Sequence, residues 1–176
     1  MFLKLTAKAI FVLAISIPYA HADSEIKITS DIGYASYEDN EGVFGGIGLG
    51  LDLNEYLGFQ VSYTNYGKVG PTGESAVEMP GVETSSFALS SHLNWPVLTD
   101  FSLFGILGYE LLNIEGVSTA GSLFQTTVYV DEEKYAFMYG VGGSYNLTNN
   151  IEASLKLVSH DSDNLITGSF GLAYIF

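Results

Sequence analysis

The sequence predicts an eight-stranded antiparallel up-and-down transmembrane β-barrel. Three observations predict it. Large apolar residues recur at every second position, the segments that show this pattern are separated by connections that are alternately short and long, and the N-terminus has the pattern of an export signal. A hydrophobic content of 47% that is spread in this way is typical of strands that present alternate side chains to lipid and lumen.

The closing segment shows the alternation most clearly. Residues 166–176 place large apolar side chains at nearly every second position, with small or polar residues between them. A soluble domain would expose this apolar face to water, whereas a bilayer covers it. The segment resembles the closing strand of bacterial outer-membrane barrels, in which a terminal Phe two residues after a Tyr marks the protein for insertion. The resemblance implies the barrel-assembly machinery as a partner and assigns the insertion signal to Phe170, Leu172, Tyr174 and Phe176.

The N-terminus predicts export. Two lysines precede an apolar run at residues 9–17, and an Ala-His-Ala pattern typical of a cleavage site ends at Ala22. The apolar run is shorter than the ~20 residues that a membrane-spanning helix needs, which argues against the alternative of an uncleaved anchor. We therefore expect a signal peptide at residues 1–22 and one outer-membrane barrel domain at residues 23–176.

Composition excludes several classes of function. The chain has no Cys, so it can form neither a disulfide nor a zinc–thiolate site. Twenty acidic residues against six Lys give a formal charge of −14, whereas nucleic-acid binding needs clustered cations. We therefore expect no nucleic-acid partner and no cofactor.

The alternating segments and the connections between them predict the topology. The segments, in chain order, are 30–37, 43–53, 57–66, 86–95, 101–112, 135–147, 151–158 and 166–176. The connections are tight at 54–55, 96–100 and 148–150, and longer and acidic at 38–41, 68–84, 113–134 and 159–164. Short periplasmic turns and longer outer loops are the barrel pattern, which places both termini on the periplasmic side. Alternation at residues 122–130 further predicts that the fifth and sixth strands continue beyond the membrane as a hairpin.

Much of the chain after residue 31 resembles the transmembrane domain of the OmpA family. The resemblance rests on short motifs in matching order: 32–39 (IGYASYED), 44–46 (FGG), 54–63 (NEYLGFQVSY), 66–67 (YG), 93–96 (LNWP), 99–100 (TD), 107–108 (LG) and 142–148 (GGSYNLT). It implies a barrel in the outer membrane of a Gram-negative bacterium, in contact with its lipids and lipopolysaccharide. Many OmpA-family proteins carry a second, peptidoglycan-binding domain. The match here ends with the barrel, so we expect no anchoring to the cell wall.

The lumen departs from the family pattern. OmpA-type barrels hold interior Glu, Lys and Arg residues, and the aligned positions in this chain are Gln60, His92, Ser144 and Ser154. We interpret His92 as a hydrogen-bonded filler rather than a catalytic group.

Charged residues are predicted at other inward-facing positions of the lumen. The alternation directs Glu110, Glu152 and Lys156 inward. A buried charge needs a partner, so we expect Lys156 to pair with Glu110 or Glu152. An eight-stranded lumen is only wide enough for side chains to fill it, and the bulky residues predicted to do so are Phe44, Phe104, Ile106, Leu112 and Met138.

The leading hypothesis is a non-enzymatic envelope protein with an adhesin-like surface role. The edge of the predicted hairpin can accept a strand from a surface protein ligand. The acidic loops are the other surface feature, and clustered carboxylates could bind Ca²⁺ or Mg²⁺. EF-hand spacing is absent and such charge runs are usually just solvated, so we expect no metal site.

Two alternatives remain open. His160 and Ser162 match the His-x-Ser spacing of the lipid A 3-O-deacylase family, and a carboxylate could orient the imidazole. The same run is equally typical of a solvated polar turn, which is what we expect. The enzyme hypothesis requires both residues to lie on strand ends that face the bilayer. A small pore, the second alternative, requires a lumen that is hydrated along its length.

Overall fold

The alternating segments close into an eight-stranded barrel, as predicted. The structure is a computed structural model that describes residues 24–37, 40–67, 82–120, 126–161 and 165–176. Each strand pairs antiparallel with the next and the last pairs with the first, which closes the sheet. The strands are β1 Glu25–Tyr37, β2 Asn40–Asn54, β3 Leu57–Gly67, β4 Val82–Pro96, β5 Phe101–Ala120, β6 Thr126–Thr148, β7 Ile151–His160 and β8 Ile166–Ile175. Among the described residues, no helix is both long and apolar enough to cross a membrane.

The apolar half of the alternation faces outward. Ile32 on β1 and Leu155 on β7 are 61% and 65% exposed, and a broad belt of similar side chains surrounds the barrel. Only an apolar solvent makes such exposure favourable on this scale. The outward face of β8 carries Phe170, Leu172 and Tyr174, with Phe176 following. Their role as an insertion signal stays a prediction.

The inward half of the alternation forms the core, which lies in the lumen. One buried cluster contains Phe44 and Leu112, and a second contains Phe104 and Ile106 with Met138 packed against it. The predicted inward orientation of these five residues is confirmed.

β1, β2 and β4 begin earlier than predicted. β1 begins at Glu25 rather than at residue 30, because the inward residue Lys27 finds ion-pair partners in the lumen. The predicted longer connection at 38–41 is wrong: Tyr37 pairs with Asn40, which leaves two residues between the strands. β4 begins at Val82, four residues before the predicted start.

The predicted hairpin of the fifth and sixth strands is confirmed. β5 and β6 pair without a register shift from Phe101 and Tyr145 to Ala120 and Thr126. Most of the segment predicted as a third long connection is therefore strand. The predicted signal peptide, most of the 68–84 connection and the residues 162–164 lie outside the described residues.

Candidate functional sites in the lumen and on the β6 edge

A polar cavity of about 500 Å³ opens at the end of the barrel that carries the short turns. Asn54 and Thr99 lie at its mouth, and it reaches His92 and Phe104 inside the barrel. Lys27 holds one side of it: its Nζ lies 2.8 Å from Asp52 Oδ2 and 3.0 Å from Glu152 Oε2. This contact gives Glu152, which the sequence directs inward, a partner that sequence reasoning missed.

Lys156 pairs with Asp31, and the expected pairing with Glu110 or Glu152 is wrong. Its Nζ lies 2.9 Å from Asp31 Oδ1, although β8 separates the two strands that carry these residues. The intervening inward position on β8 is Gly171, where an added Cβ would collide with the Asp31 carboxylate. Because this glycine has no side chain, a lysine on β7 can cross to a carboxylate on β1.

Gln60 and His92 line the inner part of the cavity. Gln60 Nε2 donates to Thr29 Oγ1 at 3.3 Å, and His92 Nε2 lies 3.3 Å from Ser90 Oγ. The imidazole of His92 stacks on the ring of Phe104 with a centroid separation of 5.5 Å. Its contacts are those of a lumen filler.

An apolar layer lies beyond the cavity. Phe104, Ile106 and Val158 are buried there, and Met138 packs against them. The facing inward positions of β6 are glycines, and a Cβ at Gly142 would meet the Phe104 ring and the backbone of Leu155. The absence of a side chain at Gly142 therefore leaves room for the Phe104 ring over β6.

A buried polar cluster lies nearer the other end of the barrel. Tyr66 Oη donates to Glu110 Oε1 at 2.9 Å, and His160 Nδ1 lies 2.5 Å from Glu110 Oε2. The Glu110 and His160 side chains are both 2% exposed. The angles of the imidazole–carboxylate contact do not meet hydrogen-bond criteria, so the contact is electrostatic. Ser86 is also buried in this region.

His160 is therefore not part of a solvated turn, contrary to expectation. It is the last residue of β7 and faces the lumen, where Glu110 is its partner. The bilayer-facing orientation that the deacylase hypothesis requires is not observed for His160, and Ser162 lies outside the described residues. The inward parity of Ser154, Lys156 and Val158 continues to His160, so the alternation held a signal that the polar composition of the run concealed.

The β5–β6 hairpin provides a second candidate site, which is the backbone edge of β6. The ladder between β6 and β7 ends where Met138 pairs with His160. Asp161 makes the last hydrogen bonds after this pair: its N–H donates to Phe137 O at 2.9 Å, and its Oδ1 accepts from Phe137 N–H at 2.6 Å. The backbone groups of Phe137 thus point to the β7 side.

This contact fixes the orientation of the rest of the edge. The N–H of Asn146 donates to the carbonyl oxygen of Asp100, the residue before β5. The backbone N–H and C=O groups of even-numbered β6 residues therefore face β5, and those of odd-numbered residues face the opposite side. Beyond Phe137, five odd-numbered residues direct their N–H and C=O groups away from β5 and have no strand partner among the described residues: Thr127, Tyr129, Asp131, Glu133 and Tyr135.

Comparison with known proteins identifies the fold family. The family described as outer membrane protein β-barrel domain matches residues 7–176. The chain belongs to this family. No curated protein matches the chain.

Solved outer-membrane barrels share the fold at low sequence identity. The N-terminal β-barrel domain of Pseudomonas aeruginosa OprF has a TM-score of 0.58 and 16% identity, and the match covers 85% of this chain and 97% of that one. Neisserial surface protein A has a TM-score of 0.56 and 16% identity, with 87% and 97% covered. Ail of Yersinia pestis has a TM-score of 0.54 and 17% identity, with the same coverage. The short-turn end of this outer-membrane barrel is accordingly the periplasmic end, and the β5–β6 hairpin projects from the outer end.

Proposed function

We propose that this outer-membrane barrel is a non-enzymatic surface protein that captures extended segments of other proteins along the edge of β6. This edge, which is free of a strand partner among the described residues, carries the proposal. An unpaired strand edge offers a row of backbone donors and acceptors to an incoming strand, and the side chains of that strand supply specificity.

The length and position of the edge support capture of a strand. The edge residues Thr127 and Tyr135 are eight residues apart on a strand without a register shift. At ~3.4 Å per residue this is roughly 27 Å of edge, which is enough for a typical strand. β6 continues past its last pairing with β7, so the edge lies beyond the outer rim and within reach of other molecules.

Charge selects the kind of partner. The chain carries 20 acidic residues against six Lys, and the edge sequence itself contains Asp131, Glu132 and Glu133. One neighbour with the same fold, Ail, was crystallised with the heparin analogue sucrose octasulfate, a polyanion. The acidic residues of the edge oppose binding of a polyanion at this site, because like charges repel. An extended protein segment rich in Lys and Arg is the partner that fits.

The interior of the barrel favours binding over the two alternatives. The apolar layer around Phe104 and the buried cluster around Glu110 both lie between the periplasmic cavity and the outer end. Such filling opposes a lumen hydrated along its length. His160 belongs to that buried cluster and does not face lipid.

Replacing Glu133 with Pro tests the proposal. The N–H of Glu133 points to the free edge, so proline removes an edge donor while the β5–β6 ladder keeps its hydrogen bonds. The matched control is Glu133→Gln, which removes the charge and keeps the N–H. A non-adherent laboratory bacterium displaying each protein is applied to epithelial cell monolayers, and adherent cells are counted.

We expect the unchanged protein to raise adherence, Glu133→Pro to return it to background and Glu133→Gln to retain most of it. Equal adherence of all three proteins, at background or above it, would contradict capture through the edge. Surface display is verified for each variant by labelling of intact cells.

A further inference from the structure

An apolar groove indents the lipid-facing surface of the barrel around Gly168 on β8. Its volume is about 670 Å³. Its outward-facing walls come from four other strands as well as β8 and include Tyr34, Val43, Val141, Leu157 and Phe170.

The strand register explains the groove. Gly168 pairs with Tyr34 of β1 on one side and with Leu157 of β7 on the other. Tyr34 pairs in turn with Val43, and Leu157 with Val141, which gives a row of five outward positions on adjacent strands. Only the central position lacks a side chain. Since adjacent strands lie ~4.8 Å apart, the gap between Tyr34 and Leu157 is roughly 10 Å wide at the backbone.

Two other outward glycines, Gly105 and Gly143, are covered by aromatic rings, whereas Gly168 is open. A Cβ added at Gly105 would lie 3.7 Å from the ring of Trp95, and one at Gly143 would lie 3.4 Å from the ring of Phe101. A Cβ added at Gly168 would have no heavy atom within 4 Å. The protein therefore fills the first two gaps with its own aromatic rings and leaves the gap at Gly168 to an occupant from outside.

The position of the groove identifies the leaflet that it faces. Gly168 pairs with Tyr34, three residues before β1 ends at Tyr37, and the phenol of Tyr34 donates to Glu41 on the outer β1–β2 hairpin at 2.7 Å. The groove thus lies in the outer half of the wall. It is continuous with the apolar belt that faces lipid in this family, and its outward-facing wall residues are apolar or aromatic.

The geometry points to a specific lipid site: the groove at Gly168 holds one acyl chain of lipopolysaccharide, the lipid of the outer leaflet. A hydrocarbon chain suits these walls because it can make dispersion contacts with them and requires no polar partner. The groove does not include the edge residues of β6, which lie beyond the last β6–β7 pair, Met138 with His160.

Filling the groove with a side chain tests the assignment. Gly168→Leu occupies it, and Gly45→Leu is the matched control, because Gly45 faces outward on β2 and its added Cβ would meet only a backbone oxygen at 3.8 Å. Each protein is refolded in mild detergent and titrated with purified lipopolysaccharide or, in a separate arm, with phosphatidylethanolamine. Native mass spectrometry then counts the lipids that each folded barrel retains.

We expect the unchanged protein and Gly45→Leu to retain one lipopolysaccharide that Gly168→Leu loses. Gly168→Ala fills the groove only partly and is expected to give intermediate retention, so the test stands even if the Leu variant folds poorly. Equal retention by the unchanged protein and Gly168→Leu would overturn the proposal. Retention that depends on Gly168 but favours phosphatidylethanolamine, or a Gly168-dependent dimer, would overturn it too.

Discussion

Removal of the His160 imidazole should strongly destabilise the barrel. Glu110 and His160 face each other with 2% side-chain exposure, and the Tyr66 hydroxyl donates a hydrogen bond to the other oxygen of the carboxylate. Breaking a buried pair by removing one partner costs about 3–5 kcal/mol, because the remaining charge loses its compensation. For His160→Leu we expect about 3 kcal/mol, at the low end of that range, since the Tyr66 hydroxyl still donates.

Two further variants divide this cost between the members of the cluster. Tyr66→Phe removes one hydroxyl and leaves the imidazole, so we expect a loss of about 1.5 kcal/mol. The double variant Glu110→Leu/His160→Leu leaves no charge to bury. We expect the double variant to be more stable than His160→Leu alone. The costs of the double variant and of the two single variants together give the coupling energy between the two positions.

The assay is denaturant unfolding of the protein in phospholipid bilayers. The single tryptophan, Trp95, reports unfolding through its fluorescence, and linear extrapolation gives the free energy of unfolding of each variant. A His160→Leu protein within about 0.5 kcal/mol of the unchanged protein would refute the reasoning, because surface substitutions have effects of that size. If the costs of Glu110→Leu and His160→Leu, each measured alone, add up to the cost of the double variant, the pairing of Glu110 with His160 would be refuted.

Two more predictions concern the rest of the lumen and use the same unfolding assay. Lys27→Met leaves two carboxylates uncompensated at the edge of a polar cavity, so we expect a loss of roughly 1–3 kcal/mol, between the values for surface and buried pairs. Unchanged stability would contradict an energetic role for that ion pair. Gly142→Ala forces a Cβ into the Phe104 ring and should cost about 1–3 kcal/mol, whereas Gly143→Ala on the outward face should cost less than about 0.5 kcal/mol. Equal effects of the two would contradict the packing argument.

The walls of the barrel could be predicted from sequence because the period-two alternation is a local signal. A few residues are enough to show which side chains of a strand face outward, as Leu155 and Leu157 do on β7, and the residues between them then face inward. The inward orientation of Phe104 and Ile106 was predictable for the same reason.

The ion-pair partners could not be predicted from the same signal. Lys27 and Glu152 are 125 residues apart in sequence and meet only because the sheet closes through β8. The choice between Asp31 and Glu152 as the partner of Lys156 depends on how far a side chain reaches across the lumen. Alternation fixes which residues face inward and leaves open which of them touch.

The edge of β6 is the feature on which the proposed function depends, and amide hydrogen exchange measures it residue by residue. For the folded protein in detergent or nanodiscs, we predict an alternating pattern from Thr127 to Tyr135. The odd-numbered amides, which point away from β5, should exchange rapidly, while the even-numbered amides, which face β5, should be protected. Uniform protection along this segment would mean that the edge is already occupied, and uniform rapid exchange would mean that the hairpin does not persist in solution; either result would contradict strand capture by β6.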